Sequence, residues 1–185
     1  MLEEMNIPCI NTDEIYHAIT NTSSECLNEL VLAFGEQILN ENGSLDRRAL
    51  AKLVFEEDTS KENLSTLNHI SHKYVWNEVS SALVKFREEK RPAAVIDAPA
   101  LFSSQIFVSA CDFIISVIAD KDARVERIVE RDGISPSDAL ARIDAQPNDE
   151  FFIKNSEYYI DNSGDPEQMK KILCGILQQE GLCFI

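Results

Sequence analysis

Apolar positions along the chain follow two rhythms. Short, nearly unbroken apolar runs alternate with longer stretches in which apolar residues recur every three to four positions. The first rhythm suits parallel strands covered on both faces, and the second suits amphipathic helices. Strands are expected at 7–11 (IPCIN), 93–96, 113–118 and 158–160. A helix is expected from Glu14, capped by Thr12 or Asp13. The spacing of Leu27, Leu30, Val31, Phe34 and Ile38 predicts a helix over 24–40. Asn42-Gly43 marks a turn, after which Ser44 is the expected cap of a helix through Leu50, Leu53 and Val54. A long helix over 60–89 is expected to break near 69–71. Helices follow at 121–132, stopped by Gly133, from Ser135-Pro136 onward, and at 165–180. This βαβ alternation predicts an α/β fold built on a doubly wound parallel sheet.

Composition narrows the reading. Of 185 residues, 44% are hydrophobic, enough for one domain with a substantial core. Seventeen Lys+Arg against 32 Asp+Glu give a net charge of −15. A field of that sign repels nucleic acid and anionic membranes, so neither is an expected partner. No apolar run is long enough to span a bilayer. The start, MLEEMNIPCI, lacks the basic and apolar regions of a signal peptide, so the cytoplasm is the expected location. Cys9, Cys26, Cys111, Cys174 and Cys183 are widely spaced and form no CxxC pair. They are expected to be reduced and mostly buried. His69 and His72 lie three apart on a helix, without an obvious third metal ligand.

In doubly wound sheets ligands bind beyond the carboxyl ends of the strands. Three expected strands end near an acid: Asp13, Asp97 and Asp161. Each has two readings, a cap or turn residue and a functional carboxylate. Asp97 follows four apolar residues, AAVI, the pattern that places a Mg²⁺-holding Asp in phosphate-loop enzymes. Arg124, Arg127 and Arg131 share one face of the helix over 121–132, and Arg142 follows on the next helix. Such a cluster can clamp phosphate. The alternative is a solvated face paired with Glu126 and Glu130. None of the six glycines is followed by Lys, so these 185 residues contain no G-x-x-x-x-G-K-[ST] loop.

Seven stretches, in order, resemble the dephospho-coenzyme A kinase family: IPCINTDEI, NGSLDRRALAKLVF, LNHISH, VIDAPALF, RVERIVERDGIS, ALARIDAQ and YYIDNSG. The resemblance implies a three-layer sheet of strand order 2-3-1-4-5. It also implies a helical acceptor-binding insertion over about 22–90 and a lid over about 121–157. The implied reaction moves the γ-phosphoryl of ATP, with Mg²⁺, to the ribose 3′-hydroxyl of dephospho-coenzyme A. Asp13 matches the second acid of the family's I-D-A-D motif and would orient or deprotonate that hydroxyl, while Asn11 replaces the first acid. Asp97 would lie near the acceptor and Mg²⁺, the metal being held directly or through water. Arg127 and Arg131 would act in catalysis. With Arg142 they would bind phosphate, and Asn162 would lie near adenine. His69 would line the acceptor site, although Ile70 replaces the family's Pro. Ser103 stands where the family carries an acid.

The family's phosphate loop belongs to its first, central strand, and these 185 residues match from beyond that point. The chain alone is therefore expected to be inactive and poorly stable, with an upstream segment supplying strand and loop. Two alternatives are a non-catalytic dephospho-coenzyme A-binding homologue and a kinase of the same fold acting on another small hydroxylated acceptor.

Overall fold

A computed structural model describes residues 2, 5–21, 24–55 and 60–182. Contacts divide it into two units, Leu2–Ala110 and the part from Cys111 onward. Both are built on parallel strand pairs, as the apolar runs predict.

The first unit opens with β1 (Cys9–Asn11) and runs directly into α1 (Thr12–Thr20). It continues through α2 (Glu25–Phe34), a 3₁₀ turn at Glu36–Ile38, α3 (Arg47–Val54) and α4 (Ser60–Glu88). It then forms β2 (Val95–Asp97), a second 3₁₀ turn at Leu101–Ser103, and α5 (Gln105–Ala110). β1 and β2 pair in parallel, with Cys9 opposite Val95, Ile10 opposite Ile96 and Asn11 opposite Asp97. The core between the helices gathers Cys26, Leu27 and Leu30 of α2, Leu50 and Val54 of α3, and Ile70 of α4. Ile38 and Leu45 join them from the connection.

Several boundaries differ from the expected ones, each for a local reason. The helix expected over 24–40 stops at Phe34, because Gly35 takes φ +85°, outside the helical region. Ile38 still enters the core, carried by the 3₁₀ turn. Leu39 and Leu45 form an antiparallel bridge around the turn. Ser44 serves that turn rather than capping α3: its N–H donates to Oδ1 of Asn40 and Asn42. Asp46 caps α3 instead, its Oδ1 accepting from the N–H groups of Arg48 and Ala49. The break expected near 69–71 is absent, since Ile70 and Ser71 are buried in an unbroken α4. α5 was not expected, because its six residues are too few to establish a period.

The second unit contains β3 (Ile115–Ile118), α6 (Lys121–Asp132), α7 (Pro136–Asp144), α8 (Asp149–Lys154), β4 (Tyr158–Asp161) and α9 (Pro166–Gln179). β3 and β4 pair in parallel from Ile115 opposite Tyr158 to Ile118 opposite Asp161. Gly133, at φ +65°, ends α6 with a left-handed residue whose N–H donates to the Val129 carbonyl. Ser135 caps α7 ahead of Pro136, as expected. α8 was not expected, and Asn148 caps it.

Burial of the strands is uneven. Ile10 and Ile160 are buried, but Val117 is 61% and Tyr159 53% exposed, contrary to strands covered on both faces. Among the described residues Cys26 is the buried cysteine, whereas Cys9 and Cys174 are exposed. Burial pushes the Cys26 thiol up to about 11. No disulfide joins the described cysteines, and Cys183 lies outside the described residues. No helix among the described residues is long and apolar enough to cross a membrane.

Candidate functional site

The parallel register places Asn11 beside Asp97 at the carboxyl ends of β1 and β2. Neighbouring strands lie about 4.8 Å apart, so these two ends share one small area. The Thr12 hydroxyl donates to the Asp97 backbone carbonyl at 3.0 Å, tying the start of α1 to the end of β2. Asn11 is the cap of α1, not Thr12 or Asp13: its Oδ1 accepts from the N–H groups of Asp13 and Glu14, both at 3.0 Å. An amide oxygen caps as a carboxylate does, so Asn in place of the family's acid keeps this local geometry. Asp13 therefore stands in the first turn of α1, exposed, and Asp97 is exposed at the end of β2. Among the described residues, no hydrogen bond or ion pair engages either carboxylate side chain.

The unengaged Asp97 carboxylate is a ligand of the kind Mg²⁺ takes. That ion binds one or two carboxylates and keeps several waters. No group of three or more metal-ligating side chains occurs among the described residues. A single protein carboxylate fits a metal held mostly by water and substrate oxygens. Asp161 takes the other reading. Its Oδ1 accepts from the N–H of Ser163 at 2.8 Å and from its hydroxyl at 2.5 Å. Those bonds lower its pKa. It ends β4, and its carboxylate holds the turn that follows.

His69 lines an open cleft of about 540 Å³ with Lys61, Ser65, Asn68 and His72 of α4, and with residues 103–105. The Nε2 of His72 lies 3.4 Å from the Ser103 hydroxyl. That hydroxyl donates to the Ala100 carbonyl at 2.7 Å, so the Nε2–H of His72 is the donor to Ser103. The His72 ring also meets Phe107 edge-on, with centroids 5.9 Å apart. Burial lowers the His72 pKa, which keeps the ring neutral near pH 7.

The arginines of the second unit do not pair with Glu126 or Glu130. Arg124 binds Asp149. Arg127 donates from Nη2 to the backbone carbonyl of Asn162 at 2.6 Å. The Asn162 N–H in turn donates to the Ile118 carbonyl at 2.8 Å, extending the β3–β4 pairing. Arg131 grips Asp132 through Nε at 2.7 Å and Nη2 at 3.1 Å. Arg142 reaches the same carboxylate through Nη1 at 2.6 Å. The cluster is thus ordered by Asp149, Asp132 and a strand-end carbonyl.

The family model for dephospho-CoA kinase matches residues 1–168. The chain belongs to the dephospho-CoA kinase family. That family consists of ATP-dependent phosphotransferases. The chain is 30% identical to the dephospho-CoA kinase of Lactobacillus johnsonii, covering 97% of this chain and 88% of that protein. It is 31% identical to the enzyme of Geobacillus kaustophilus, covering 97% and 87%. A crystal structure of a Thermus thermophilus protein superposes with a TM-score of 0.78 at 27% identity, covering 96% and 87%. The dephospho-CoA kinase of Campylobacter jejuni shares the fold, with a TM-score of 0.64 at 21% identity, covering 97% and 87%.

Sequence reasoning placed Asp97 at a strand end, where it lies, and Asp13 just beyond one, where it stands in the first turn of α1. It missed Asp132, whose adjacency to Arg131 was visible but whose contact with Arg142 depends on how α6 meets α7. It also missed the His72–Ser103 contact, which joins residues 31 positions apart.

Proposed function

We propose that this chain carries the acceptor and lid machinery for transferring the γ-phosphoryl of ATP to the ribose 3′-hydroxyl of dephospho-coenzyme A, the last step of coenzyme A synthesis. The observation that carries this reading is the pair of unengaged carboxylates of Asp97, at the end of β2, and Asp13, in the first turn of the helix that follows β1. Asp13 accepts the proton of the 3′-hydroxyl as its oxygen bonds to the γ-phosphorus and the bond to ADP breaks. Asp97 would hold Mg²⁺, directly or through water, and the ion would supply positive charge against the phosphate oxygens. Arg127, Arg131 and Arg142 take up the remaining phosphate charge, and Asn162 lies against adenine. His69 and its cleft receive part of the acceptor. Residues 22–90 form the acceptor-binding insertion and 121–157 the lid, both within one kinase domain.

Catalysis also needs a backbone cradle and a Lys for the phosphates, and no G-x-x-x-x-G-K-[ST] occurs within residues 1–185. In the sheet order 2-3-1-4-5 that loop follows the central strand. The parallel β1–β2 and β3–β4 pairings support this reading. A coupled assay of ADP release with dephospho-coenzyme A tests the reading. The 185 residues alone are expected to give no turnover. Turnover is expected once a segment carrying a strand and a G-x-x-x-x-G-K-[ST] loop is fused ahead of them, and Asp13→Asn should abolish it. Turnover by the 185 residues alone refutes the need for the loop, and an active Asp13→Asn enzyme refutes the proton acceptor. A second reading, a non-catalytic dephospho-coenzyme A-binding protein, draws on Asn11 and Ser103 standing where the family carries acids. Acceptor binding with no turnover in the loop-supplied chain would support it.

A further inference from the structure

Asp132 sits at the C-terminal end of α6, where the helix dipole disfavours a negative charge. It is nevertheless the acid that, among the described residues, takes two guanidinium groups: Arg131 from α6 and Arg142 from α7. Only residues 133–135 separate the two helices, with Gly133 in the left-handed region. Left alone, two guanidinium groups would repel each other. A carboxylate between them removes that repulsion and still leaves a net charge of one positive unit. Arg131 commits Nε and Nη2 to Asp132, and Arg142 commits Nη1. Each guanidinium has five N–H donors, so both keep several for another anion. The Asp132 side chain is 23% exposed, whereas those of Arg131 and Arg142 are 73% and 55% exposed. The carboxylate is therefore more covered than the two cations, whose side chains stay largely open to solvent.

We propose that Asp132 is a positioning residue that draws Arg131 and Arg142 together into one two-guanidinium site for the polyphosphate of ATP. This rests on the reading that those arginines bind ATP phosphates. Two opposite effects follow from removing the acid. Local repulsion of phosphate falls, which alone would tighten binding. The arginines also lose their common anchor, which weakens binding. The anchor dominates, because it fixes two long side chains that otherwise lose rotamer freedom when they meet the ligand.

Calorimetric titration of the loop-supplied chain with ATP tests the proposal. Arg131→Gln and Arg142→Gln are expected to weaken binding. Asp132→Asn is expected to weaken it about tenfold, although it removes a negative charge. Asp132→Glu should recover part of the loss. Asp132→Asn added to Arg131→Gln should weaken binding by less than it does in the parent, which a purely structural role would not produce. Unchanged or tighter binding by Asp132→Asn overturns the proposal while leaving the arginine reading intact. Additive losses do the same. ATP binding that ignores both arginine substitutions overturns the arginine reading and the proposal together, as does a parent chain that binds no ATP.

Discussion

Asn11 links the stability of α1 to the placement of Asp13, and substituting it tests both. Its Oδ1 accepts from two N–H groups at the start of the helix, each at 3.0 Å. Removing such a cap destabilises by about 1 kcal/mol, within a range of roughly 0.5–2. Both N–H groups lie near the surface, so water takes over part of the lost bonding and the upper end of that range is not expected. With a urea dependence of about 2 kcal/mol per molar, Asn11→Ala should lower the unfolding midpoint by about 0.5 M. Asn11→Asp behaves differently. A carboxylate caps equally well and gains from the helix N-terminus, though Asp13, Glu14 and Asp97 lie nearby and repel it. These terms offset, and the variant should unfold within about 0.5 kcal/mol of the parent. Urea unfolding followed by circular dichroism reads both. An unchanged Asn11→Ala midpoint would remove the cap from the explanation. An Asn11→Asp variant as weak as Asn11→Ala would assign the role of Asn11 to the β1–β2 pairing instead.

Leu30 and Leu32 provide a comparison on a single helix, being 0% and 87% exposed. Leu30→Ala should destabilise by about 2–5 kcal/mol in thermal or urea unfolding, and Leu32→Ala by less than about 0.5 kcal/mol. Glu29 accepts from Lys73 and Tyr74, both at 2.7 Å, and these bonds hold its carboxyl below the usual range, Lys73 contributing most. A carboxyl with a lowered folded pKa adds stability above its unfolded pKa and loses it as pH falls through the folded value. Glu29→Gln should therefore be less stable than the parent at pH 7, with the difference closing below about pH 4 in a pH series of unfolding midpoints. A difference that stays constant across the series would contradict the assignment.

The sequence reveals the parallel strands because unbroken apolar runs are the pattern of strands covered on both faces, although Val117 and Tyr159 are exposed. It reveals the start of α7 because Ser135-Pro136 combines two local signals in adjacent residues. Where one residue type can serve two structures, the sequence misleads. Ser44 could cap a helix or close a turn, and two asparagines drew it into the turn while Asp46 took the cap. The helix over 24–40 has an apolar spacing that crosses Gly35 unchanged, yet the backbone at Gly35 ends it. Asp13 and Asp97 are legible because a strand end fixes where a side chain stands. The Asp132 contact with Arg142 is not, since it forms only once α6 and α7 have folded against each other.

Chain connectivity gives the β1–β2 register a further meaning. Cys9 meets Val95, whereas Ile115 meets Tyr158, so the first pairing closes a segment twice as long as the second. Doubling a flexible loop adds only about 0.6 kcal/mol to the entropy of closing it. Most of the longer segment is helix, which stiffens it and brings its ends together through its own packing. The order of folding and the tolerance to change then diverge. The shorter β3–β4 closure has the kinetic advantage. The helical segment between β1 and β2 can lengthen or shorten at little thermodynamic penalty, provided that Asn11 and Asp97 still meet at its two ends.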